Sequence, residues 1–137
     1  MRNILIDTGA IVGLLRPGDP THSRVSAFFA TLRPTDQLLT TWPVLTECAF
    51  LMRHREKVFW DWLLQSLIEI APFELEDLPG MLKWRGRYAD REIDFADATL
   101  VWAAAGCRTQ LIATTDFDDF ETYRLPNGKP FRILIER

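Results

Sequence analysis

The sequence is short of cysteine. Only Cys48 and Cys107 occur in 137 residues, each inside an apolar helical pattern, which rules out a disulfide framework or a cysteine-rich zinc site and fits buried free thiols in a reducing compartment. Histidine is as scarce, and His22 and His54 read as surface residues. No stretch approaches the roughly 18 uninterrupted apolar residues of a membrane span. Met1-Arg2-Asn3 runs directly into a short apolar strand, without the apolar core of a signal peptide, so the cytosol is the expected location and a membrane is not expected as a partner. Positive charge is lacking too. A formal net charge of -3 does not by itself predict a nucleic-acid binder, because phosphate affinity is carried by basic surface, and only local clusters could override that mean. Repeats and low-complexity segments are absent.

What remains is 47% hydrophobic and 12% aromatic, enough to bury one core, and residues 1–137 read as a single domain. Ile4-Leu5-Ile6 forms a strand buried on both faces, of the kind found in parallel sheets. It ends at Asp7, and Thr8-Gly9-Ala10 turns the chain into a short helix from Ile11 to Leu15. Asp19-Pro20-Thr21 opens a second helix reaching about Leu32. A strand from Gln37 to Thr40 precedes a helix with Pro43 in its first turn, where a missing N–H costs least. The middle of that helix is apolar nearly all round, which marks it as central. Further helices are expected over Val58–Leu67, Leu75–Tyr88 and Asp94 to about Gly106, with strands at Ile68–Ile70, Leu111–Ala113 and Phe131–Ile135. Strands alternating with helices imply an α/β fold with a mostly parallel central sheet and right-handed crossovers.

In such a sheet, ligands bind outside the carboxyl ends of the strands. Four acids are expected there. Asp7 ends the first strand, Asp116 follows a later one, Asp97 lies in the first turn of the helix leading to that strand, and Glu47 is in the second turn of the helix after strand two. Each has an ordinary alternative. Asp7 could cap the next helix, Glu47 could pair with an arginine, and Asp116, Asp118 and Asp119 could be turn residues. Asp94 reads foremost as an N-cap, with Asp97 three residues on, both favouring the positive end of the helix dipole.

Together these acids are more informative. Two unit charges about 4 Å apart repel by about 4 kcal/mol at an effective dielectric near 20, so gathered carboxylates need a cation. An all-oxygen donor set favours Mg²⁺ or Mn²⁺ over zinc. With a phosphodiester substrate, such a cation would activate water for in-line attack and neutralise the charge that develops. Arg53, Arg55 and Lys57 form one basic cluster. Lys83, Arg85, Arg87 and Arg91 form another, with Trp84 and Tyr88 interleaved, and could hold RNA phosphates while the aromatics stack on bases. An ordinary solvated helix face is the alternative for both clusters. Trp60 and Trp62 read as core or interface anchors.

The order of Ile4-Leu5-Ile6-Asp7-Thr8, Glu47, Phe95-Ala96-Asp97-Ala98 and Thr114-Thr115-Asp116 followed by Phe117-Asp118-Asp119-Phe120 resembles the PIN-domain family, and within it the toxin ribonucleases of VapBC-type toxin–antitoxin pairs. The resemblance spans nearly the whole chain. It implies a three-layer α/β/α sandwich, Mg²⁺- or Mn²⁺-dependent cleavage of single-stranded RNA, a homodimer, and a cognate antitoxin that reaches into the acidic site. Asp7, Glu47, Asp97 and Asp116 match the family's acidic quartet, with Thr8 and Thr114 as supporting hydroxyls. Asp94 is auxiliary at most, while Asp118 and Asp119 add acidity and either could replace or assist Asp116. A catalytically silent PIN-like module that binds RNA or protein is an alternative function. An aspartate-based phosphatase or phospho-receiver is a more distant one, since the phosphatase wants a second aspartate where Gly9 stands and the receiver a late-strand lysine that is missing.

Overall fold

A computed structural model describes all residues, Met1–Arg137. Five strands form one sheet in the order β3-β2-β1-β4-β5, with β1 at Asn3–Ile6, β2 at Gln37–Thr40, β3 at Glu69–Ile70, β4 at Leu111–Ala113 and β5 at Arg132–Ile133. Every pairing is parallel, so the mostly parallel sheet expected from the sequence is wholly so. β1 lies at the centre. Its Ile4, Leu5 and Ile6 are fully buried, as the unbroken apolar run requires of a strand covered on both faces. The chain builds outward from β1 through β2 to β3, then returns to β1's other side as β4. That reversal makes the gap between β1 and β4 the topological switch point, where carboxyl ends of strands open a crevice.

Seven α-helices surround the sheet: α1 (Thr8–Leu15), α2 (His22–Ala30), α3 (Trp42–Leu51), α4 (Glu56–Gln65), α5 (Leu78–Arg85), α6 (Phe95–Cys107) and α7 (Phe117–Thr122). None is long and apolar enough to cross a membrane. α1 begins at Thr8, not Ile11, because Asp7 caps it by accepting a hydrogen bond from the Thr8 N–H. It packs closely on α2, and a Cβ at Gly13 would stand 2.7 Å from Thr21 Oγ1 and 3.0 Å from Val25 Cγ2. The expected helix over Leu75–Tyr88 is broken. Only Leu78–Arg85 is α-helical, with 3₁₀ turns at either end, and Pro79, Gly80 and Gly86 are the residues that weaken continuity there.

Three further expectations are corrected. α3 is not enclosed all round: Val44, Leu45 and Cys48 are buried, but Thr46 in its middle is exposed, and Trp42 and Phe50 at its ends are 63% and 64% exposed. Trp84 and Tyr88 are not free to stack on bases. Trp84 is fully buried and donates its Nε1–H to Arg124 O at 2.8 Å, while Tyr88 packs against Trp84 and Tyr123. His22 is half-buried rather than loose on the surface, with Nδ1 2.8 Å from Gly13 O. Cys48 and Cys107 are free thiols as expected, and burial, with Asp7 and Glu47 nearby, pushes Cys48 up to about 12.

Candidate metal centre

The end of β1 delivers Asp7 into the core, where the residue is 6% exposed. Its Oδ1 accepts from the Thr8 N–H at 2.7 Å and its Oδ2 from Thr114 Oγ1 at 2.8 Å. Thr114 follows β4, so this bond ties together the carboxyl ends of the two strands that flank the switch point. Even so, burial raises Asp7 to about 6, with Glu47 and Asp116 adding repulsion. Thr114 Oγ1 also accepts from the Asp116 N–H at 3.0 Å, which sets where the next acid leaves the strand.

Asp97 sits one turn into α6 behind its N-cap. Asp94 Oδ1 accepts from the Asp97 N–H at 2.8 Å, which bears out capping as the local role of Asp94. Asp97 is 8% exposed, and burial lifts its carboxyl to about 8, helped by the charges of Asp7, Asp94 and Asp116. Its Oδ2 accepts from the Tyr123 hydroxyl at 3.2 Å. Sequence reading passed over Tyr123. Its three-residue spacing from Phe120 on α7 was the available sign that both face inward, and both are fully buried.

Glu47 projects from α3, half-buried, and accepts from Thr8 Oγ1 at 3.1 Å. Burial raises its carboxyl above the usual range, with Asp94 contributing repulsion. The arginine that could have neutralised it is not there. Of five ion pairs, only Arg91–Asp119 touches this group of acids.

Asp116 is raised to about 6 by burial, by a hydrogen bond shared with the Asp119 carboxyl, and by the charges of Asp119 and Asp118. Asp116 and Asp119 are not turn residues. Asp116 caps α7, accepting from the Asp119 N–H at 3.3 Å, and Asp118 and Asp119 form the first turn of that helix. This brings Asp119 inward. Asp97, Asp116 and Asp119 each present an oxygen within 4.8 Å of the others. Asp7 and Glu47 adjoin this triad without belonging to it, and they are linked to each other through the backbone N–H and hydroxyl of Thr8.

The donor set fits a hard divalent cation. No buried side-chain polar atom lacks a hydrogen-bond partner, so the case rests on charge. Asp7, Glu47, Asp97 and Asp116 are all shifted upward with burial as the first cause, so a bound cation would favour their charged forms. Oxygen donors alone, without His or Cys, suit Mg²⁺ or Mn²⁺.

The PIN domain family model matches residues 4–125. The chain belongs to the PIN-domain family. No curated protein sequence matches it. Two solved structures share the fold. The Mycobacterium tuberculosis VapC20, described as a sarcin-ricin loop cleaving toxin, superposes with a TM-score of 0.70 at 21% identity over 84% of this chain and 91% of its own. FitAcB from Neisseria gonorrhoeae superposes with a TM-score of 0.62 at 21% identity over 94% of this chain and 96% of its own. At this identity both comparisons speak to the PIN fold alone.

The expected RNA-binding residues separate by position in the PIN domain. Arg85 lines a cleft of about 510 Å³ together with Glu92, Ile93, Asp94, Asp97 and Asp119. Arg91 reaches the same acids through Asp119. Arg53 and Arg55 lie about two turns beyond Glu47, where Arg53 stacks 4.3 Å from the Phe50 ring centroid and donates to Phe50 O. Lys57 pairs with Asp61, Arg87 donates to Pro126 O at 3.4 Å, and Lys83 is exposed.

Proposed function

We propose that this PIN domain is a divalent-metal-dependent endoribonuclease and the toxin of a toxin–antitoxin pair, acting in the cytoplasm as a homodimer. The observation that carries the reading is the convergence of Asp97, Asp116 and Asp119, with Asp7 and Glu47 adjoining them at the switch point of the sheet and no arginine or lysine paired with Asp7, Glu47, Asp97 or Asp116. VapC20, whose described activity is cleavage of the sarcin-ricin loop, supports RNA as the substrate.

In this proposal Asp7, Asp97 and Asp116 hold Mg²⁺ or Mn²⁺, with Glu47 completing the set and Asp119 as a further donor. When bound, such a cation supplies the acidity that ionises a water and the positive charge that offsets the developing charge on the phosphate. The protein's own residues fix the geometry. Thr8 N–H and Thr114 Oγ1 aim the two oxygens of Asp7, Tyr123 holds one oxygen of Asp97, and Thr8 Oγ1 orients Glu47. These are positioning residues. They leave lone pairs of the same carboxylates free for a cation, because each carboxylate accepts at up to about four sites. Arg85 and Arg91, at the rim, are the phosphate-holding residues.

Trp42, Phe50, Leu64 and Leu67 are left exposed on α3, on α4 and just after it, and support a protein partner, either the antitoxin or a second copy. The phosphatase alternative finds no support at Gly9, where even a Cβ would stand 2.3 Å from Thr115 Oγ1. Expressing the chain without an antitoxin tests the proposal. Growth arrest with discrete RNA fragments is expected from the wild type and neither from Asp7→Ala. Identical growth and intact RNA for both would overturn the toxin reading.

A further inference from the structure

The Arg91–Asp119 ion pair lies at the rim of the centre. Asp119 is one of the three carboxylates whose oxygens converge, yet its Oδ1 is already engaged by Arg91 Nη1, while Arg91 Nη2 reaches Thr122 Oγ1 at 3.4 Å. The two side chains are 35% and 28% exposed, so the pair is only partly screened by solvent. Neither Asp97 nor Asp116 has such a partner.

We propose that Arg91 is an internal stand-in for the cation. It holds Asp119 while no cation is bound, yields it when a divalent ion engages Asp97, Asp116 and Asp119, and then offers its freed guanidinium to a phosphate oxygen of the RNA. This rests on the metal-dependent nuclease reading. A guanidinium and a divalent ion drawn to one carboxylate repel each other, and the divalent ion, with twice the charge and three oxygens to bind, is favoured. The released fork of N–H donors matches phosphate geometry. Arg91 lies in the irregular segment between the 3₁₀ turn ending at Tyr88 and the start of α6, so it can exchange partners without moving a helix. Arg85 on the same cleft adds a second positive charge to receive the strand.

Two measurements on the full chain test this: calorimetric titration with Mn²⁺ in the absence of RNA, and steady-state cleavage of a fluorescent single-stranded RNA oligonucleotide. Arg91→Gln is expected to bind Mn²⁺ about fivefold more tightly, the scale of one partly exposed ion pair, and to show a KM for RNA about tenfold higher. The two effects have opposite signs, which a merely structural role would not produce. Asp119→Asn is expected to bind Mn²⁺ more weakly, and adding Arg91→Gln to it to change that affinity less than about twofold, because the pair it would relieve is already gone. Unchanged or weaker Mn²⁺ binding by a folded Arg91→Gln overturns the proposal, as does an unchanged KM. If the wild type cleaves no RNA with Mn²⁺, the nuclease reading and the phosphate role fail together, while the Mn²⁺ affinities still decide the stand-in role.

Discussion

Replacing Asp97 by asparagine is expected to stabilise the metal-free protein while abolishing the metal binding proposed for the site. Burial, which disfavours its charge, pushes the Asp97 carboxyl from an ordinary 3.8 up to about 8 in the fold. A carboxyl whose folded pKa is raised contributes stability that is complete below its unfolded value and is lost as pH rises through the folded one. The window therefore runs from about pH 4 to about pH 8. Each tenfold change in proton affinity is worth about 1.4 kcal/mol, so at pH 7, roughly three pH units above the unfolded value, keeping the proton on this one group costs about 4 kcal/mol. Asparagine avoids the cost, keeps the shape, and retains an oxygen to accept from the Tyr123 hydroxyl. For a chain of this size the difference corresponds to about 15 °C in Tm. Thermal denaturation with a chelator present should show Asp97→Asn melting well above the wild type at pH 8, with the two converging below about pH 4. Added Mn²⁺ should then raise the wild type and leave the variant nearly unmoved. A variant that melts at or below the wild type at pH 8 in chelator would refute the burial-and-repulsion account of the site.

Other perturbations have defined signs. Thr114→Val removes the bond to Asp7 Oδ2 and the acceptor for the Asp116 N–H; it should cost about 1–3 kcal/mol in denaturant unfolding and push Asp7 still further above about 6, so that Mn²⁺ affinity recovers only at higher pH than in the wild type. Unchanged stability and an unchanged affinity profile would show that Thr114 does not position Asp7. Gly13→Ala drives a methyl against Thr21 and Val25 and should destabilise by about 1–3 kcal/mol without changing Mn²⁺ affinity, measurable by urea melts and calorimetry; a neutral melt would mean that α1 and α2 can separate at little cost.

Legibility in the sequence followed physical rules with uneven reach. Ile4-Leu5-Ile6 announced a buried parallel strand because three consecutive apolar residues stopped by an acid and a turn suit a strand covered on both faces. Asp94 announced the start of α6 because the cap and the apolar helix behind it are local. α7 was not foreseen. Its six residues carry three acids and read as a turn, and only the cap from Asp116 and the burial of Phe120 and Tyr123 in the tertiary structure make it a helix. Missing α7 also hid Tyr123 from the site and left open which of Asp118 and Asp119 joins it, because their direction depends on that helix. Strand order was beyond pattern reading as well, since a parallel sheet's sequence does not say on which side of β1 the chain returns. The basic cluster divided for a similar reason. Trp84 follows Lys83 and precedes Arg85, yet helical geometry turns it into the core while its neighbours face water.

The central claim is that the acids at the switch point hold a divalent cation for RNA hydrolysis, and it is tested most directly by purified protein acting on single-stranded and structured RNA with Mn²⁺, Mg²⁺ or chelator, wild type beside Asp97→Asn. The expected result is internal cleavage by the wild type with either cation, none in chelator, and a rate for Asp97→Asn lower by a factor on the order of 100 or more. Cleavage that survives chelation, or equal rates for the two proteins, would contradict it.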